Sequence, residues 1–186
     1  ARRGSKALLT TFSLNNVAMM PCSRAVGGPG KSHLVKELDA LGGKMGIAAD
    51  ATAIQMRMLN SSKGPAVYAL RAQSDKGAYH RYMKKVIENT DNLDLKQMMV
   101  VDILEEDGHV NGIISELGEA YTAKAVILCT GTYLESDIII GDNKYKGGPN
   151  GMCPSTGLSE NLRKHGIELL RFKTGTPSRV DLRTLH

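Results

Sequence analysis

The spacing of apolar and polar residues changes period along the chain. Ala7-Leu8-Leu9-Thr10-Thr11 is a short apolar run and predicts a buried strand, after a helix remnant stopped by Gly4. Leu34, Val35, Leu38 and Leu41 recur at the spacing of one helix face, and Gly42-Gly43 predicts where that helix ends. Residues 44–75 show no sustained period, and Ser61-Ser62-Lys63-Gly64-Pro65 reads as a loop. Tyr79, Tyr82, Met83, Val86 and Ile87 predict a second helix over 75–89, with Tyr79, Met83 and Val86 buried. The period then becomes two. Residues 93–101, 101–106 and 110–117 read as strands, with Asp107-Gly108 as a hairpin turn and Gly118 as another. Ala125-Val126-Ile127-Leu128-Cys129 predicts a fully buried strand ending in Thr130-Gly131-Thr132. Residues 141–151 read as a glycine-rich loop. Ser155 or Ser159 is expected to cap a helix carrying Leu158 and Leu162, closed by Gly166, and Ile167–Phe172 is a last strand candidate.

Composition narrows the class. The chain has 186 residues, 41% apolar and 23% charged, which fits one ordinary folded domain. No apolar run approaches the roughly 18–20 residues of a membrane helix. Three cysteines without a CxxC argue against a disulfide framework or a cysteine-based zinc site, so no metal is expected. Eight aromatics, none of them Trp, make recognition of single strands by stacking platforms a poor fit. The net charge of +5 is unevenly spread. Residues 57–85 carry seven Lys/Arg against Asp75 alone, and residues 86–119 carry nine acids against Lys96 alone. Such a basic stretch suits phosphate, including nucleic acid, though a solvated helix face reads the same way.

Two motifs compete in the glycine loop. Ala25-x-x-x-x-Gly30-Lys31-Ser32 fits a relaxed phosphate loop opening a helix, and Met98–Asp102 has the form of a magnesium-holding strand. Against it, Asn15, Asn16 and Pro21 interrupt the run before the loop, where a buried strand is required. The order of elements supports a different fold: strand, glycine loop, long excursion, three-stranded meander, then a strand ending in small residues. That is the order of a large FAD-binding domain, where backbone must pass close to the nucleotide.

Particular residues sharpen this second reading. Met20-Pro21-Cys22, Gly27-Gly28-x-Gly30-Lys31, Glu37-x-Asp39-Ala40-Leu41-Gly42-Gly43, Leu59-Asn60-x-x-Lys63-Gly64-Pro65-Ala66-Val67 and Leu70-Arg71-Ala72-Gln73 resemble the MnmG (GidA) family. So do Ala123-Lys124-Ala125-Val126, Gly131-Thr132, Pro154-Ser155 and Lys173-Thr174-Gly175-Thr176-Pro177-x-Arg179-Val180-Asp181. The resemblance runs in order from residue 1 to residue 186.

The resemblance implies an α/β, Rossmann-like FAD-binding domain of glutathione-reductase type with a three-stranded β-meander. It implies that the chain starts after the G-x-G-x-x-G turn, with residues 1–172 a partial FAD-binding domain and 173–186 the start of an inserted subdomain. The implied function is FAD-dependent addition of a carboxymethylaminomethyl group to the wobble uridine of tRNA. NADH and methylenetetrahydrofolate are the implied co-substrates, and the GTPase MnmE and a second copy are the implied partners. The implied location is the cytoplasm, or the mitochondrial matrix in a eukaryote, and the piece alone is expected to be inactive.

Site residues follow from the same resemblance. Val100 and Ser155 would contact FAD, with Thr130, Gly131, Thr132, Gly27 and Gly28 lining the flavin or substrate cavity. Cys22 matches a cysteine the family needs for activity. It stands beside Arg24 and a glycine-rich loop, surroundings that favour a reactive thiol. The family has Asn-Pro after this cysteine, where this chain has Ser23-Arg24. Cys129, at the end of an apolar run, is expected to be structural. Lys63 and Arg71, with Lys76 and Lys84 on the polar side of the second helix, are the expected tRNA contacts. Two other readings stay open: a P-loop nucleotide hydrolase, and an RNA-binding or assembly module that kept the fold without the chemistry.

Overall fold

The computed structural model of the protein describes residues 1–175 and 180–185. The Pro177 and Arg179 part of the motif that begins at Lys173 lies outside the described residues. Strand β1 (Ala7–Thr11) pairs in parallel with β5 (Leu93–Gln97), Ala7 opposite Leu93 and Thr11 opposite Gln97. A parallel pair needs a long crossover. Here it holds β2 (Ala25–Gly27), α1 (Ser32–Ala40), α2 (Met45–Thr52), β3 (Ala53–Leu59), β4 (Ala69–Ser74) and α3 (Lys76–Glu88). The three strands of this excursion form an antiparallel sheet in the order β2-β4-β3.

The core lies between that sheet and its helices. Val26 and Ala72 face each other across β2 and β4, and Ala48, Ala49 and Tyr79 close over them. Ala48 is fully buried, and Ala49 and Ala72 nearly so. The alanines let α2 lie close to the sheet. Backbone bonds lock the layers: Ser74 N–H donates to the Arg24 carbonyl and Asp75 N–H to the Thr52 carbonyl. Asp75 then caps α3, its carboxylate accepting the Ala78 N–H at 2.7 Å.

After β5 the chain forms the meander, β6 (Val100–Glu106), β7 (His109–Ser115) and β8 (Ala120–Thr122). Its first turn has positive φ at Asp107 (52°) and Gly108 (76°), the geometry that Asp-Gly hairpins select. A second hairpin follows, β9 (Asp137–Ile140) with β10 (Asn143–Lys146). Helix α4 (Leu158–Lys164) packs on β6 through the buried Leu158 and Leu162.

Several elements match the hydrophobic pattern. β1, both long helices, the Asp107-Gly108 turn and α4 stand where the spacing placed them, and Gly42 and Gly43 end α1 by donating to the Asp39 and Leu38 carbonyls. Others differ. Residues 44–75, without a sustained period, hold α2, β3 and β4, because short elements packed on one another need no amphipathic stripe of their own. Residues 93–101 split into β5 and the start of β6, since β5 follows β1 while β6 turns into the meander; the third meander strand is Ala120–Thr122. The glycine-rich 141–151 stretch contains β10, with Gly141 opening a two-residue hairpin turn. Gly157 occupies the N-cap of α4 without a side-chain cap, and Ser155 and Ser159 are buried instead.

Two expected strands do not form. Residues 125–129 are irregular; Ile127 is 85% exposed, and Cys129 is exposed rather than structural. A continuous apolar strand is stable only between neighbours that take up both of its edges. Among the described residues β1 has only β5 beside it, and nothing pairs with 125–129. Ile167–Phe172 is likewise irregular, with Leu170 and Phe172 exposed. It is held by Arg171, which donates to the Glu135 carbonyl and to Asp137.

Asp137 is also paired with Lys144 and Lys146, at 3.3 Å each, across the hairpin. Partial desolvation pushes its carboxyl up, but the two lysines outweigh this and hold it below the usual carboxylate range. The stabilisation is therefore present above the ordinary carboxylate value and lost as pH falls through the lowered one. Replacing Asp137 by Asn should lower the thermal midpoint at neutral pH, with the difference closing as the scan is repeated at acid pH. Asp75→Ala should destabilise the fold by about 1 kcal/mol in urea denaturation, the usual loss for an N-cap. Equal stability would mean that the α3 N-terminus is satisfied without its cap.

Candidate flavin and thiol site

Tyr133 gathers most of the expected site residues. Thr130-Gly131-Thr132 forms a turn closed by Tyr133 N–H donating to the Thr130 carbonyl, with Gly131 at φ 56°. From there the chain runs beside the Ser155 segment. Ser155 N–H donates to the Tyr133 carbonyl at 2.8 Å, and Glu135 N–H donates back to the Ser155 carbonyl at 2.8 Å. These reciprocal bonds hold the small-residue turn and Ser155 together although 22 positions separate Tyr133 from Ser155. Gly157, at the end of the same segment, stands against Val101, which brings Val100 of β6 alongside.

The Tyr133 ring is fixed from two sides. Phe12, the residue after β1, meets it edge-on with ring centroids 5.6 Å apart. Gly148 leaves room on another side, where any Cβ would press on the ring and on the Cys153 carbonyl. Burial raises the Tyr133 phenol above its ordinary value, and the charge of a Cys22 thiolate raises it further. The phenol thus stays protonated well past neutral pH, close enough to the half-buried Cys22 to feel its charge. The Cys22 loop is itself anchored, since Lys76 donates to the Pro21 carbonyl at 3.4 Å. Asn16 ties the segment after β1 to Met152.

One atom here lacks a partner. The Thr132 hydroxyl is buried and makes no hydrogen bond among the described residues. A buried orphan hydroxyl carries a desolvation penalty of about 1–3 kcal/mol unless something fills the role of partner. Beside it, a Cβ on Gly131 would meet no atom within 4 Å, so space is open next to the turn. An unpaired hydroxyl, open backbone and a buried serine fit a nucleotide-bearing cofactor such as FAD. Among the described residues no group of three His, Cys, Asp or Glu is placed to hold a metal ion, and no disulfide forms.

The structure thus brings Cys22, Thr130, Gly131, Thr132 and Ser155 together, while Val100 is paired with Ser115 in the meander, next to the Val101 that meets Gly157. It places Gly27 and Gly28 differently. A Cβ on Gly27 would collide with the Leu70 carbonyl, and Gly28 N–H donates to that carbonyl. Both glycines therefore serve the close approach of β2, β4 and the start of α1. β2 is a short antiparallel strand, not the parallel strand that a phosphate loop leaves. The basic residues also divide. Lys63 and Arg71 belong to the β3–β4 connection and to β4. Lys76, expected to be exposed, is half-buried at Pro21, because it lies three residues before Tyr79 and shares the inward face of α3. Lys84 is paired with Glu88, and the outward cations of this helix are Arg81 and Lys85. Sequence reasoning missed Tyr133 and Phe12. The available signal was an aromatic directly after the Thr-Gly-Thr turn in a chain with only eight aromatics.

Among the described residues no helix is long and apolar enough to cross a membrane. The whole chain matches relatives of one kind. It is 56% identical over 185 residues to a protein of Caldicellulosiruptor saccharolyticus called tRNA uridine 5-carboxymethylaminomethyl modification enzyme MnmG. It is 55% identical to the Heliobacterium modesticaldum protein of that name. The match takes in all of this chain and about 30% of the relative's length. The structure of Aquifex aeolicus GidA superposes with a TM-score of 0.92 at 48% identity, over 98% of this chain and 30% of that one. A GidA-related protein from Thermus thermophilus shares only the fold, with a TM-score of 0.56 at 18% identity over 88% of this chain and 59% of that one. Residues 1–186 match the family described as glucose inhibited division protein A, and with a Rossmann-like α/β fold in common the chain belongs to that family.

Proposed function

We propose that this chain forms part of an FAD-dependent enzyme that adds a carboxymethylaminomethyl group to the wobble uridine of tRNA. The observation that carries this reading is the convergence of Cys22, Thr132 and Ser155 at Tyr133, in a chain that aligns throughout with enzymes named for that modification. Thr132, Ser155 and the open backbone at Gly131 would hold the nucleotide part of FAD, with Val100 beside them. FAD supplies electron transfer when bound. Cys22 is the thiol presented to the substrate, and Tyr133 keeps a proton next to it. Residues 1–172 are the partial FAD-binding domain, and 173–186 open an inserted subdomain. NADH and methylenetetrahydrofolate serve as co-substrates, a GTPase of the MnmE kind and a second copy as partners, and the cytoplasm or a mitochondrial matrix as the location.

Two substitutions in the full-length protein test the reading. Cys22→Ser should abolish uridine modification while the flavin spectrum and the fold persist; unchanged turnover would reduce Cys22 to packing. Thr132→Val keeps the shape and removes the orphan hydroxyl. It should raise the thermal midpoint of flavin-free protein and lower flavin retention on dialysis, because the same group is a burden when empty and a partner when filled. A Thr132→Val protein that stays yellow and keeps its flavin as well as the parent would sink the assignment of this turn.

A further inference from the structure

In the β2-β4-β3 sheet, Arg57 of β3 stands directly opposite Arg71 of β4. Cross-strand neighbours have Cβ atoms about 4.5–5.5 Å apart, and like charges in that position repel. Nothing in the chain nearby offsets them. Residues 51–74 contain Arg57, Lys63 and Arg71 and no Asp or Glu. None of the three has an ion pair among the described residues. Alternation along the strands puts both arginines on the face opposite Val26 and Ala72, away from the core.

This face is open at Arg57, which is exposed, and partly covered at Arg71 and at Ala69, which is fully buried. On the β2 side, Arg71 lies opposite Gly27, where any Cβ would collide with the Leu70 carbonyl. The row is therefore Gly27, Arg71, Arg57, with no side chain covering the first guanidinium from β2. The adjoining row pairs Gln73 with Gln55, two amides on the same face. The β3–β4 loop carries exposed Lys63 at the same end of the sheet. That loop is braced by Asn60, at φ 60°, whose carbonyl accepts the Lys63 N–H and whose side chain donates to the Val67 carbonyl.

We infer that Arg57 and Arg71, with Lys63 beyond them, form a clamp for a phosphate group of the nucleic-acid substrate. The inference rests on the proposed tRNA reading and deepens it. Two guanidinium forks held side by side without counter-charge suit an oxyanion, and amides alongside suit the sugar-phosphate chain. A flavin pyrophosphate has the same chemistry. Most of the residues expected to hold flavin, however, gather at Tyr133, and Gly27, opposite Arg71, is occupied by the close approach of the Leu70 carbonyl.

The test is the double variant Arg57→Gln with Arg71→Gln in the full-length protein; the adjoining Gln55–Gln73 pair shows that this sheet accepts glutamines opposite each other. The probes are an unmodified tRNA transcript and bound FAD. Expected are a loss of about ten-fold or more in tRNA affinity and a fall of about one unit in the slope of log affinity against log salt. The thermal midpoint should rise as the repulsion goes, and flavin retention should stay unchanged. Arg57→Lys with Arg71→Lys should keep the slope. If tRNA affinity and slope are unchanged in the glutamine variant, or flavin is lost instead, the clamp is overturned. A parent protein that binds no tRNA would defeat the tRNA reading itself, a failure distinguishable from equal binding by parent and variant.

Discussion

Close approach of α2 to the β2-β4-β3 sheet is the constraint on which the site depends. Ala48 and Ala49 on the helix and Ala72 on the strand leave only methyl groups between backbones, and Tyr79 of α3 closes the side. At the end of the sheet its register carries on, the Arg24 and Thr52 carbonyls accepting the N–H groups of Ser74 and Asp75. α3 then starts at a fixed point, and Lys76 on its inward face reaches the Pro21 carbonyl. The position of the Cys22 loop thus follows from three small residues in a core that Cys22 does not touch. A larger residue at any of them would have to push the layers apart, since interiors transmit strain instead of absorbing it.

The same sheet has two unlike faces. One is the core. The other carries arginines and glutamines, with no acid in the stretch that supplies β3 and β4. Packing stabilises the strands well enough to tolerate repulsion on the outer face, a common way for a surface site to be held at the expense of stability. Charge on this sheet and reactive groups around Tyr133 therefore sit on separate elements. A substrate as large as an RNA can touch both, whereas the cofactor needs only the second.

How much of the site was legible follows from what held each residue. A resemblance in order along the chain points to Cys22, Val100, Ser155 and the Thr130–Thr132 turn, and the structure gathers all of these but Val100. Tyr133 was not named. Its role comes from the Ser155 segment, the Phe12 ring and the space left at Gly148, and no local pattern encodes those neighbours. The polar side of the 75–89 helix predicts an exposed Lys76. Its spacing of three from Tyr79 carried the opposite information.

By itself the sequence determined the elements whose causes are local. Gly42-Gly43 stops α1, Asp107-Gly108 turns the meander, and the apolar face of 75–89 makes a helix, each through backbone freedom or a one-face stripe. Only the tertiary structure decided the rest. The 44–75 stretch has no period, yet it becomes α2, β3 and β4 because each finds a neighbour to pair or pack with. Residues 125–129 have a clear strand pattern and stay irregular, because among the described residues no strand pairs with them. A turn or cap closes within a few residues and can be read from them. A strand exists only when distant residues supply its hydrogen bonds, and that depends on which elements fold beside it.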